Sequence, residues 1–487
     1  MTSASLPRPG GVDPLGLRQI NFDLMDQVFP GVNNIARHIR PFVVVAWAWR
    51  RAAQIAARGG VVEIRVEELR DFVDRIEVLF VWSQFLVDRT VALPGSDVLA
   101  PYLTSQLFPF SGPVWARQKE TRRLSTGLSA PINYGPALRS LGWLEEVPDA
   151  SGAMRVTQAS TAAIDALEAR LAPFLDHPAF SILGEMEVRR EDALAWADAW
   201  GLTTLTAVER QTMATLLAGS VADPKRAAGV SLALAAMSEG AGDDVTLVRR
   251  SMCGPPSDFQ PPEALEGVSA AWRRTQVRQL FRLALEVLFA WALRRLEDRP
   301  LPTGRLVARM LDTSGGEDAE TTTTWLAGAA GAGQAATDLI AEIETALTSS
   351  DWSDVPSAVR RALALCLSEA PQAPEGFERL ERLPLAVAAR QAEGLRSRPP
   401  SEFLRHVFEV WLFGQHTFWS VGRGLSDARA AGRTLLRLRV VLEEGGWALA
   451  PNARASRPNP TPDRLATILS LAREAGLITH RVPGQLG

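Results

Sequence analysis

Lysine is nearly missing from this chain. Lys119 and Lys225 are the two in 487 residues, so almost all positive charge is arginine. Nuclease cores often set two acidic residues ahead of a lysine, and no acidic pair is correctly placed before either one. The uniform spread of arginine reads as the codon bias of a GC-rich genome. The functional alternative is bidentate recognition of phosphate or carboxylate. Cysteine is as scarce: Cys253 and Cys366 stand far apart, which supports neither a disulfide framework nor a cysteine zinc site. Long apolar runs are lacking too. The segment "LFRLALEVLFAWALRRL" carries Arg282 and Glu286, and no stretch approaches the ~20 clean apolar residues of a membrane span. The opening "MTSASLPRPGGVDPLGL" has no apolar core of signal-peptide type. The expectation is a cytoplasmic protein without membrane contact.

Chemical motifs are equally sparse. There is no G-x-x-x-x-G-K-[S/T] phosphate loop, no H-E-x-x-H, no paired C-x-x-C and no G-x-S-x-G nucleophile elbow. No cofactor, metal site or catalytic residue is therefore expected. A net charge of −3 and a pI near 6.1 exclude a globally basic nucleic-acid coat but leave local basic patches open.

What the chain does have is helical periodicity. Hydrophobic residues make up 46% and charged residues 22%, ordinary values for a globular protein with a sizeable core. Apolar residues recur at Val28, Val32, Ile35, Ile39, Val43 and Ala46, a spacing that predicts a helix from Val28 to Trp49, kinked at Pro41. Asn33, Asn34, Arg37 and Arg40 fall off that stripe and form its candidate contact face. "VEELRDFVDRIEVLFVWSQFLV" predicts a second helix, with Asp71, Asp74 and Arg75 on its wet side. Residues 92–115 read as a loop with short helical turns. In the last block, Thr461 and Pro462 mark the start of a compact helix and Gly476 its stop.

The fold class expected is mainly α: a multi-domain helical protein with one or two winged-helix-like modules carrying short β-hairpins. The composition breaks suggest an N-terminal helical domain (1–112), a winged-helix-like module (113–176), a central helical domain (177–400) and a C-terminal helical or winged-helix-like module (401–487). The module at 113–176 rests on the order helix, strand "WLEEV", turn "PDASG", strand "MRVT", helix. Its basic residues are Arg117, Lys119, Arg122, Arg123, Arg139 and Arg155, which in such a domain touch phosphate or bases. The turn itself is acidic, so contact with a partner protein competes with contact with DNA. A second cluster, Arg429, Arg433 and Arg437, has the four-residue spacing of one helical stripe. Of five histidines, His416 is the most suggestive, because Glu409 lies nearly two turns earlier on the same face if the helix is unbroken. The bland reading of His416 is a partly buried hydrogen-bonding residue.

The stretch "LGLRQINFDLMDQVFPGVNNIARHIRPFVVVAWAWR" resembles the N-terminal signature of uncharacterised bacterial proteins encoded in anti-phage defence islands, beside helicases or nucleases. The matching positions are Leu15, Gly16, Phe29, Pro30, Gly31, Arg37, Arg40 and Trp47, under a tenth of the chain. It departs from the pattern at Pro41-Phe42 and at Ala46. The resemblance implies a defence context, with other defence-system proteins (ATPase, helicase or nuclease subunits) as partners; DNA is the further partner that the arginine clusters suggest. It implies no enzymatic residues. The functional expectation is a non-catalytic DNA- or partner-binding subunit of such a system. The rivals are a DNA-binding transcriptional regulator and an enzyme with an unrecognised site around Glu409 and His416.

Overall fold

The computed structural model describes residues 13–58, 65–91, 93–95, 99–124, 135–148, 150–315, 318–329, 333–431, 437–451 and 453–478. The protein is mainly helical, with a few short two-stranded hairpins. It divides into two compact units, one formed by residues 1–27 and 236–461, the other by 28–235 and 462–487. The unit boundaries therefore do not fall at the composition breaks near 112, 176 and 400. Each unit closes around its own tryptophans: Trp47, Trp82, Trp143 and Trp200 in one, Trp272, Trp291, Trp325 and Trp411 in the other, all fully buried. Burying a ring of that size contributes ~2–3 kcal/mol or more, so each unit has a core of its own.

In the unit of residues 28–235 and 462–487, helices Ile39–Arg58 and Val66–Val87 pack against each other. The first begins at Ile39, not at Val28. Pro41 accordingly sits in the first turn, where backbone N–H groups have no intrahelical acceptor and the missing donor costs little. It starts the helix and does not kink it. The Ile39 N–H is capped from a distant element: it donates to Glu474 Oε2 at 2.7 Å, while His38 Nδ1 meets Glu474 Oε1. Residues 28–38 form a corner. Gly31 takes φ +77°, and Arg226 and Arg464 hold the turn by donating to the carbonyls of Pro30 and Phe29.

The wet side expected for Val66–Val87 is partly dry. Arg75 is 1% exposed and donates to the carbonyls of Ala179, Ile182 and Gly184. Burial lowers its pKa to about 10. A periodicity count cannot see carbonyls delivered by a loop a hundred residues away. The segment read as loop near 107 is a strand, Leu107–Phe110, paired antiparallel with Met186–Arg189. Its partner is remote in sequence, so no local turn signal announced it.

The closing helix runs Leu465–Glu474, three residues later than Thr461 and Pro462 suggest. Asn34 explains the delay: its side chain donates to Pro462 O and accepts from Arg464 N–H, and Arg464 takes φ +68°, outside the helical region. The helix ends as read. Gly476 has φ +78°, its N–H reaches Arg473 O, and Leu477 N–H reaches Ala472 O, a Schellman stop.

In the other unit, the 30-residue helix Glu266–Arg295 is the central element, flanked by Ala336–Ala346 and Val355–Ser368. Arg282 and Glu286, the two charges within its apolar run, are 0% and 1% exposed and pair at 2.7 Å one turn apart. Helix Arg18–Met25 docks on it, with Asn21 donating to Gln279. Cys253 and Cys366 are buried thiols that are not joined in a disulfide. Near the end of this unit, strands Val440–Glu443 and Gly446–Leu449 form a hairpin, within the block read as a helical or winged-helix-like module. The run Val-Val-Leu followed by Gly445-Gly446, with Gly446 at φ +118°, is the hairpin signal that could have been used. No helix among the described residues is long and apolar enough to cross a membrane.

Candidate functional site

The hairpin expected between "WLEEV" and "MRVT" is present. Helix Gly135–Ser140 leads into strand Leu144–Glu146, which pairs antiparallel with Met154–Val156, and helix Thr161–Leu171 follows. Its base is anchored from below. Trp143 is fully buried and stacks on Phe42, and Ser160 Oγ and Thr157 Oγ1 donate to the carbonyls of Trp143 and Gly142. The register puts Glu145 directly opposite Arg155. Their side chains meet at 2.8 Å, and Arg139 reaches Glu146 at 2.9 Å. All four side chains are about half exposed, so the hairpin presents two matched ion pairs to solvent and not a basic surface.

The other expected contact residues scatter. Lys119, on helix Gly112–Leu124, pairs with Asp71 at 2.6 Å. Arg117 is exposed on the same helix. The side chains of Arg122 and Arg123 lie outside the described residues, as does that of Arg429; Arg433 lies outside them altogether. Arg437 is described, and it sits in non-helical chain leading to strand Val440–Glu443, so the three-arginine helical stripe does not form.

Of the off-stripe residues near the N-terminus, Arg37 alone is exposed. Asn33 turns its side-chain oxygen onto the N–H groups of Ile35 and Ala36, a local turn. Asn34 holds Pro462 and Arg464, as described above. Arg40 is corrected outright. Its side chain has no exposed surface and donates to the carbonyls of Gly201 and Thr204 and to the Glu209 carboxylate. Burial lowers its pKa, opposed by the Glu209 charge. An arginine off the apolar stripe is not thereby wet, because a neighbouring helix can bring it an acid.

The Glu409–His416 pair does not assemble. A stretch of wider π-type helix, Val407–Gly414, breaks the phase that would set them on one face. Glu409 faces solvent beside Arg405 at 3.7 Å, whereas His416 is 1% exposed. His416 Nδ1 donates to Pro14 O at 2.8 Å and Nε2 accepts from Arg439 N–H at 2.8 Å. Both ring nitrogens are thus spent on backbone, and burial holds the imidazole neutral, lowering its pKa to about 4. Arg439 itself is buried and donates to Ser456. Among the described residues no group of three or more His, Cys, Asp or Glu is placed to hold a metal ion.

Sequence reasoning missed why Leu15 and Gly16 stand in the resembling stretch. Gly16 has φ +72°, and a Cβ there would lie 2.4 Å from the Trp419 ring. Gln415 donates to Leu15 O and Arg382 to Gly16 O, so residues 13–17 are strapped onto the helix carrying His416. A leucine-glycine pair before an amphipathic helix is the available signal, but its partner lies 400 residues away. Comparison of the chain with protein-family models, curated proteins and solved structures gives no match.

Proposed function

We propose that the protein is a non-catalytic subunit of a bacterial anti-phage defence system, and that its winged-helix-like hairpin docks on a partner protein such as an ATPase, helicase or nuclease subunit. The defence context rests on the resemblance of the N-terminal stretch. The observation that carries the choice of a protein partner over duplex DNA is the internal pairing of Arg139 with Glu146 and of Arg155 with Glu145. Phosphate affinity needs several clustered cations whose charge is available. Here a phosphate would have to displace a carboxylate from each arginine. A protein surface, in contrast, can answer the alternating charges of both pairs at once.

The test is an electrophoretic shift series with duplex DNA over a range of salt. The expected result is no shift at moderate salt and no difference between the wild-type chain and an Arg139→Ala, Arg155→Ala variant. A duplex shift that falls steeply with salt and is lost in that variant would return the hairpin to DNA reading.

A further inference from the structure

A groove in the unit of residues 1–27 and 236–461 has what the hairpin lacks: beside accessible aromatic rings stand two arginines, Arg382 and Arg423, that pair with no carboxylate among the described residues, while the third arginine lining it, Arg18, pairs with Glu286. Its volume is ≈ 670 Å³, within the ~300–1,000 Å³ of small-ligand sites. Its walls are helix Arg18–Met25, the turn Leu380–Arg382 and helix Gln415–Ala431. Phe418 presents its ring at 58% exposure, and Phe22 is half-buried on the facing wall. Beside them, Arg423 is exposed and makes no ion pair or hydrogen bond among the described residues. Arg382 spends Nη1 on Gly16 O and lies 4.5 Å over the Trp419 ring, but among the described residues its Nε has no acceptor and no carboxylate pairs with it. Of the two acids lining the groove, Asp13 is engaged with the N–H groups of Leu17 and Arg18; Glu381 is the other.

A single exposed phenylalanine is ordinary surface. Its place here, in one groove with two guanidiniums that pair with no carboxylate among the described residues, is not. Rings offer a face to a nucleobase, and unpaired arginines offer donors to a phosphate. We propose that this groove binds a nucleotide unit, with the base on the Phe418 ring and the phosphate between Arg423 and Arg382. Duplex DNA is excluded, because its base faces are hidden in the stack. The same chemistry is presented by a free nucleotide and by a single strand. The site is separate from the hairpin, and its standing does not depend on what the hairpin docks against.

The experiment uses the full chain, a short fluorescein-labelled oligodeoxythymidylate read by anisotropy, and unlabelled dTMP as competitor, over a salt series. Phe418→Ala and Arg423→Glu are both surface changes, with folding checked by circular dichroism. The expected result is saturable binding that each variant weakens roughly ten-fold or more, with Arg423→Glu also flattening the salt dependence. Displacement by dTMP upholds a free-nucleotide site; strand binding that dTMP does not displace upholds a single-strand site. No saturable binding of either probe at low salt, or binding that both variants leave unchanged, overturns the proposal.

Discussion

Arg40 and Glu209 form an ion pair in which neither side chain has any surface exposed to water. Arg40 also serves the carbonyls of Gly201 and Thr204, and Glu209 accepts the Thr206 N–H in a capping box. The pair therefore joins the first turn of helix Ile39–Arg58 to the start of helix Ala207–Ala218. Removing one partner leaves a buried charge with no counter-charge. Glu209→Ala is expected to cost roughly 3–5 kcal/mol, read as a lowered denaturant midpoint with the slope unchanged. A loss near zero would mean that water reaches the site and that Arg40 is not a structural residue.

His416 gives the protein a defined pH dependence. Its folded pKa, about 4, lies below the ordinary 6.5. Between those values the unfolded state binds the extra proton, so stability rises with pH across that window. The contribution is fully present above about pH 6.5 and is lost as pH falls toward 4. The shift corresponds to roughly 3 kcal/mol. His416→Gln should flatten the difference in unfolding midpoint between pH 4 and pH 7. A variant that retains the wild-type slope there would place the titration elsewhere.

Gly31→Ala is expected to destabilise the chain out of proportion to its size. The residue sits at φ +77°, and a Cβ would lie 2.5 Å from Ser140 Cβ. The left-handed backbone alone costs roughly 1–2 kcal/mol, and the contact adds to it. Thermal unfolding should shift down by several degrees. Gly267→Ala, where a Cβ meets nothing within 4 Å, is the control and should not lower stability.

Much of the fold was legible. The helices at 66–87 and 266–295 follow from their apolar stripes, and the hairpin at 144–156 from two short apolar segments around a turn. What could not be read was tertiary. Arg40, Arg75 and Arg226 look like surface charges, yet each is drawn inward by carbonyls or acids that only folding delivers. Leu15 and Gly16 stand in the sequence only as matching positions of the resembling stretch; folding makes them the strap against Trp419. The candidate site was legible as residues but not as charge: the sequence shows Arg139 and Arg155, while the strand register decides that Glu146 and Glu145 answer them. The groove at Phe418 gathers three segments far apart in the chain, and no local pattern joins them.

Co-purification tests whether the hairpin docks on a partner. A tagged chain is co-expressed with the proteins encoded beside it and compared with a charge-swapped hairpin carrying Arg139→Glu, Glu146→Arg, Arg155→Glu and Glu145→Arg. The swap keeps both internal pairs and inverts only the pattern a partner meets. The expected result is that an ATPase, helicase or nuclease subunit is retained by the wild-type chain and lost by the swapped one. Recovery of the wild-type chain alone, or equal retention by both, would contradict it.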